Sequence, residues 1–157
     1  MERSVVLLLH GREFKQLLES RSAVIRERYG LRKIDVEILY YLHQFGERNT
    51  SKDIRDAYMF TKGHISQSVE RLQKMRLLEP VPDVRDRRCI HLKLTPEAED
   101  IVCSIGKMWE EMTAAIFEGI TEQEKHMLYE VAVKMTHNMK RALVVSQRQE
   151  EADTNGL

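Results

Sequence analysis

The sequence has few of the features that mark secreted or membrane proteins. Its 157 residues include two cysteines, three prolines, seven glycines and one tryptophan. Two cysteines, Cys89 and Cys103, are too few for a disulfide framework and fit a reducing compartment. The one dense apolar stretch near the start, residues 5–9, is too short for a signal sequence or a membrane span. We therefore expect a cytoplasmic protein that has no membrane partner.

Motifs for catalysis and for cofactor binding are also missing. The chain has no glycine-rich phosphate loop and no nucleophile elbow. It has no Cys-x-x-Cys pair, and its six histidines are never three or four residues apart, as ligands on one helix face would be. We therefore predict no enzymatic activity, no cofactor and no metal site.

Charge is balanced overall but unevenly distributed. The formal net charge is zero. Residues 50–95 carry ten basic and six acidic side chains, whereas residues 96–157 carry six and twelve. This asymmetry favours an anionic partner at the middle of the chain, although ordinary patchiness would look similar.

Apolar spacing predicts a mostly α-helical fold with six helices and one β-hairpin. Helices are expected over about residues 4–29, 51–58 and 62–75, and three more begin near Asp35, Thr95 and Thr121, each of which can cap a helix. Residues 77–81 and 89–94 read as two short strands around a charged turn. Residues 148–157 form a polar tail that should fray. Two close helices followed by a hairpin indicate a winged helix-turn-helix, the hairpin being the wing.

The fourth predicted helix has polar side chains opposite its apolar face, and these are suited to reading nucleic acid. Arginine and lysine donate to guanine, glutamine pairs with adenine, and hydroxyls bond phosphate. A plain solvated helix face is the alternative. The candidate DNA contacts on this helix are Thr61, Lys62, His64, Ser66, Gln67 and Arg71.

The turn of the hairpin concentrates arginine. Arg85, Arg87 and Arg88 lie within four residues, and arginine is attracted to the negative potential of a narrow minor groove. Asp86 is predicted to pair with Arg88 and fix its direction. The alternative is a charged hairpin that only keeps an edge strand soluble.

These residues resemble the MarR family, the multiple antibiotic resistance regulators. The wing motif Asp-x-Arg-Asp-x-Arg at residues 83–88, followed by Leu-Thr-Pro-Glu at residues 94–97, is the most specific part of the match. Val-Glu-Arg-Leu at 69–72, Leu-Leu-Glu at 77–79 and Thr-Glu-Gln-Glu at 121–124 agree with it. The sequence departs from the family at Arg76, where glycine is usual, and at Pro80 and Val81, where basic residues are common. No cysteine lies in the first predicted helix, so peroxide sensing is not implied.

The resemblance implies a homodimeric repressor that binds a near-palindromic operator in double-stranded DNA. Residues 1–30 and 97–147 would form the dimerisation region, and residues 31–96 the DNA-binding region. A small aromatic or anionic effector would bind between them. The candidate lining, whose alternative role is to fill the core, is His10, Phe14, Tyr40, Met108, Trp109 and Met112.

Two other functions stay open from the sequence. The neutral total charge and the acidic last third also suit a winged-helix module that binds protein and not DNA. A redox or metal sensor with the same fold is a third possibility, because Cys89 lies beside the wing arginines.

Overall fold

A computed structural model describes residues 11–86 and 88–154, with side chains as far as residue 145. The chain divides into two compact units between Ile116 and Phe117. The first unit holds helices α1 (Arg12–Tyr29), α2 (Lys33–Gln44), α3 (Ser51–Tyr58), α4 (Lys62–Lys74) and α5 (Glu99–Ile116), and strands β1 (Leu78–Pro82) and β2 (Ile90–Leu94). The second contains α6 (Glu122–Thr154).

The core of the first unit is built from the apolar faces that the sequence predicts. Helix α1 packs on α5, and α2 packs on α4, α5 and β2. Residues spaced by three and four along each helix point inward, so each contributes one stripe to a common cluster. The fully buried apolar side chains include Ile38, Leu39, Ile54, Ile65, Leu72 and Ile105. Burial of each of these stabilises the fold by about 1.5–3 kcal/mol.

Several helix ends follow their capping residues. The Thr50 hydroxyl accepts a hydrogen bond from the Asp53 amide at 3.2 Å, and the Asp53 carboxylate accepts one from the Thr50 amide at 3.0 Å. Thr121 and Glu124 form the same reciprocal box at the start of α6. Gly30 ends α1 with φ of 66°. These three predictions are confirmed.

Two predicted caps are wrong. Helix α2 begins at Lys33, two residues before Asp35, and the Asp35 carboxylate reaches back to accept the Arg32 amide at 2.7 Å. The Thr95 hydroxyl does not cap a helix but donates to the Arg76 carbonyl at 2.6 Å. One 3₁₀ turn, Pro96–Ala98, then leads into α5. The Thr95 hydroxyl has its partner nineteen residues earlier, which local sequence does not specify. Asp35 is instead the third residue of the helix, in a local capping box with Arg32.

The wing is an antiparallel hairpin. Leu78 pairs with Leu94 and Pro80 with Leu92 in the register of β1 and β2, and Leu78 and Leu92 are buried. Strand β1 contains two prolines. It tolerates them because some backbone amides of an edge strand have no hydrogen-bond partner in the sheet, so replacing them with proline removes no hydrogen bond. The Leu92 amide donates to the Asn49 carbonyl at 2.8 Å, so β2 is also tied to the segment before α3.

Both turns that flank α4 contain a left-handed residue other than glycine. Met59, between α3 and α4, has φ of 56°, and Arg76, between α4 and β1, has φ of 59°. A Cβ atom makes this conformation unfavourable. Arg76, where the resemblance would place glycine, therefore adopts this backbone at a steric cost.

Helix α6 extends further than the sequence predicts. It continues to Thr154, into the segment after residue 147 where the sequence predicts a polar tail, and the fraying of that tail stays a prediction. Residues 155–157 lie outside the described part of the chain. None of its described side chains is buried. An apolar row along it is exposed: Leu128, Val131, Met139 and Leu143.

Within the part of the chain that the structure describes, no helix is both long enough and apolar enough to cross a membrane.

Candidate nucleic-acid interface

The N-terminal half of α4 presents a free polar face. Thr61 caps the helix, its hydroxyl accepting from the His64 amide at 3.3 Å. Ile65, Val69 and Leu72 are buried on the opposite face, which fixes the rotation of the helix about its axis. The predicted DNA contacts that this rotation leaves exposed are Thr61, Lys62, His64, Ser66 and Gln67.

The C-terminal half of α4 is engaged within the fold. The Arg71 guanidinium donates to Asp35 at 3.1 Å and to the Gly30 carbonyl. Asp35 is fully buried, so Arg71 neutralises a carboxylate that has little access to water. This guanidinium is therefore engaged within the fold, and the contact of Arg71 with DNA stays a prediction. Lys74 pairs with Glu70 at 2.6 Å on the helix surface.

The turn of the wing is organised by Asp83. One of its carboxylate oxygens accepts the amides of Arg85 at 2.7 Å and Asp86 at 2.8 Å. These hydrogen bonds lower the pKa of Asp83, the Asp86 amide contributing most, so the carboxylate is ionised at neutral pH. Arg85 and Arg88 are exposed beyond it, as is Val84. Arg87 lies outside the described residues.

The predicted ion pair between Asp86 and Arg88 does not form in the part of the wing that the structure describes. The Asp86 carboxylate instead accepts the backbone amide of Arg88 at 3.0 Å. Asp86 therefore shapes the turn and does not direct the Arg88 guanidinium. A short aspartate favours its own nearby backbone amides in this way, which composition alone does not distinguish from an ion pair.

A histidine that the sequence reading passed over links the wing to the helix-turn-helix. His91 Nε2 lies 3.1 Å from Asp83 Oδ2, and Nδ1 contacts Asn49 Oδ1. His91 lies on β2 next to the buried Leu92, and alternation along the strand directs it to the other face. The alternation along the strand could have indicated the orientation of His91 from the sequence. Nothing in the sequence indicates that Asp83 and Asn49 are its partners.

A separate cavity of about 140 Å³ lies in the first unit. Of the predicted effector residues it brings together Tyr40, Met108 and Trp109. It does not include Phe14, or Met112, which is buried in the core, and His10 lies outside the described residues. The further lining that sequence reasoning missed is Leu18, Ser22, Lys33, Val36, Glu37 and Tyr58.

Aromatic rings and one half-buried acid, Glu37, define this cavity. Tyr40 and Trp109 stack with ring centroids 5.3 Å apart. Burial raises the pKa of Glu37, with Lys33 opposing the shift. Burial, with Glu37 nearby, also raises the pKa of Tyr58 to about 12, so its hydroxyl stays protonated. The cavity therefore combines flat apolar walls with one cation and one weak acid.

Comparisons with known proteins agree with this architecture. Residues 31–98 match the family model described as a winged helix DNA-binding domain. Among curated proteins, the uncharacterized HTH-type transcriptional regulator YsmB of Bacillus subtilis (strain 168) is 25% identical over 130 residues, which is 83% of this chain and 88% of that protein.

Among solved structures, MepR of S. aureus in a DNA complex has a TM-score of 0.68 at 20% identity, covering 87% of this chain and 95% of that one. A MarR/EmrR family regulator from Acinetobacter sp. ADP1 has a TM-score of 0.70 at 18% identity, covering 89% and 97%. MarR itself has a TM-score of 0.64 at 19% identity, covering 88% and 90%.

The match of residues 31–98 confirms the prediction of a winged-helix fold. The chain is similar in fold to the MarR-type structures, in agreement with the resemblance that the wing motif indicated.

Proposed function

We propose that this chain is a homodimeric, effector-responsive transcription regulator, and not an enzyme, that binds a near-palindromic operator in double-stranded DNA. One observation carries the proposal: the exposed polar side chains of the N-terminal half of α4 have no role in the core, and the wing arginines Arg85 and Arg88 are exposed on an ordered turn. A helix in the major groove and a basic hairpin beside it use these side chains directly. The related MepR has been seen in a DNA complex.

Residue roles follow from this exposure. We infer that Lys62, His64, Ser66 and Gln67 contact bases and adjacent phosphates, with Thr61 binding phosphate at the start of the helix. Arg85 and Arg88, together with Arg87, would enter the minor groove. The residues differ in kind: contacts to bases set specificity, whereas contacts to phosphates set affinity and its dependence on salt.

The exposed apolar row on α6 supports a homodimer. Apolar side chains arranged along one helix and left in water usually mark an interface. We propose that residues 12–30 and 97–147 supply it, which leaves residues 31–96 of each subunit to bind one half-site. Two unpaired cysteines fit action in the cytoplasm.

Titration of the purified protein against labelled DNA from the region upstream of its own gene tests this function. Fluorescence anisotropy should show binding at least about a thousandfold tighter than to a scrambled duplex. Log affinity should fall linearly with log salt concentration. A folded dimer, verified by sedimentation, that fails to discriminate between the two duplexes contradicts the proposal. Salt-insensitive binding to a co-purified protein would favour the protein-interaction alternative.

We further propose that the cavity beside Trp109 is the effector site. Its volume is close to the roughly 150 Å³ of an engineered apolar cavity that binds benzene. The ligand class is therefore a single aromatic ring, with an anionic group directed to Lys33. Binding here would change DNA affinity only if the ligand favours one dimer geometry over another.

Trp109 is the only tryptophan in the chain, so its fluorescence should report this binding. Benzoate is expected to change the emission with a Kd on the order of 1 mM. The affinity for benzoate should rise as pH falls. Because its pKa is raised, Glu37 is protonated before benzoate is, and a neutral Glu37 no longer repels the anion. Glu37→Gln should remove the pH dependence, and Lys33→Ala should weaken binding up to about fivefold.

The matched control is Lys107→Ala, a lysine on the exposed face of α5. Benzylammonium, of similar size and opposite charge, should bind more weakly than benzoate to the unmodified protein. Equal affinities for the two probes, or no emission change with either, would contradict a site for anionic aromatic molecules.

A further inference from the structure

His91 sits between two oxygen acceptors. Its Nε2 lies 3.1 Å from a carboxylate oxygen of Asp83, and its Nδ1 contacts the side-chain oxygen of Asn49. A carboxylate ionised at neutral pH can only accept hydrogen bonds, and so can an amide oxygen. The imidazole therefore bridges the two side chains, one through each ring nitrogen.

The three residues connect segments that are far apart in sequence. Asn49 precedes α3, and its backbone carbonyl also accepts the Leu92 amide. Asp83 uses one oxygen for His91 and the other for the amides of Arg85 and Asp86. Asp83 thus connects the His91 ring to the backbone of the turn that carries the wing arginines.

We propose that His91 is a positioning residue for DNA binding, which holds the wing turn against the helix-turn-helix through an imidazole that bridges Asp83 and Asn49. The inference rests on the proposed function. A wing held in place loses less conformational freedom when its arginines enter a groove, and this gain appears as affinity. His91 itself is partly buried and need not touch DNA.

Other charged groups near this strand have their own partners or positions. Lys93 on β2 lies opposite Glu79 on β1. Asp53 on α3 is hydrogen-bonded to Thr50, and the positive charge of Arg48, in the preceding loop, helps to lower the pKa of Asp53. Among the described residues, Asp83 is the only acid within salt-bridge distance of His91. The contact of the ring with the wing turn therefore depends on Asp83.

Two variants and a matched control test the proposal. In His91→Gln and Asp83→Asn the link is broken, and operator affinity should fall about tenfold. His43→Gln makes the same replacement on α2, away from the wing, and should bind as the unmodified protein does.

A double-mutant cycle separates positioning from a general structural role. If His91 acts through the wing turn, its replacement should cost little affinity once Arg85→Ala has removed the group it positions. Full additivity of the two substitutions would overturn the proposal, as would His91→Gln with unchanged affinity. Absence of specific binding by the unmodified protein would instead refute the proposed function, so the two failures are distinguishable.

Discussion

Arg88→Ala and Arg85→Ala should each weaken operator binding by more than about 1 kcal/mol, at least about fivefold in Kd, with no change in folding stability. Both side chains are exposed on the wing turn, and neither has a partner among the ion pairs of the described residues that its loss would break. In a narrow minor groove each guanidinium would meet concentrated negative potential. Anisotropy titrations with operator DNA, at several salt concentrations, measure the effect.

The salt series shows what kind of contact has been lost. Removal of a phosphate contact should reduce the slope of log affinity against log salt concentration by about one. Lys107→Ala on α5 removes the same charge away from the DNA-binding region and should leave affinity within about twofold. Wild-type affinity in both wing variants would mean that the hairpin has only a structural role.

Arg71→Ala should reduce the free energy of unfolding by about 3 kcal/mol. Asp35 is fully buried, and the substitution removes the guanidinium that lies 3.1 Å from it. An uncompensated buried charge is strongly destabilising. The Arg32 amide still donates to the same carboxylate, and Arg71 is itself part-exposed, so the loss lies at the low end of the range for broken buried pairs. Urea denaturation measures it.

The partner substitutions make this prediction specific. Asp35→Asn in the Arg71→Ala background replaces the stranded charge with a neutral amide and should recover much of the lost stability. Lys74→Ala on the same helix breaks only the exposed pair with Glu70 and should cost no more than about 0.5 kcal/mol. A similar loss in Arg71→Ala and Lys74→Ala would show that the buried carboxylate is not the cause.

Local patterns in the sequence predicted most of the fold. The bounds of α3 were correct because Thr50 and Asp53 cap each other three residues apart, and those of α4 within one residue because Thr61 precedes a regular apolar stripe. The hairpin followed from alternation and a charged turn. The same rules failed where a polar side chain had a distant partner, as with Thr95 and the Arg76 carbonyl.

The candidate site was less predictable for the same reason. Composition identified the exposed residues of α4 and the wing arginines. It could not show that Arg71 turns back to Asp35, thirty-six positions earlier, or that His91 bridges Asp83 and Asn49. The cavity was only partly predicted, because Lys33 and Glu37 of α2 and Tyr58 of α3 join Trp109 of α5 through packing and not through any spacing along one helix.

The left-handed residues Met59 and Arg76 leave the DNA-binding helix bracketed by two sterically costly turns. Neither position belongs to the base-reading face or to the wing arginines. Glycine at both would relieve the cost without altering any proposed contact, so thermal resistance can be engineered separately from operator recognition. A variant of that kind would tolerate disabling substitutions in the reading face, which makes it a suitable background for mapping the contribution of each base contact.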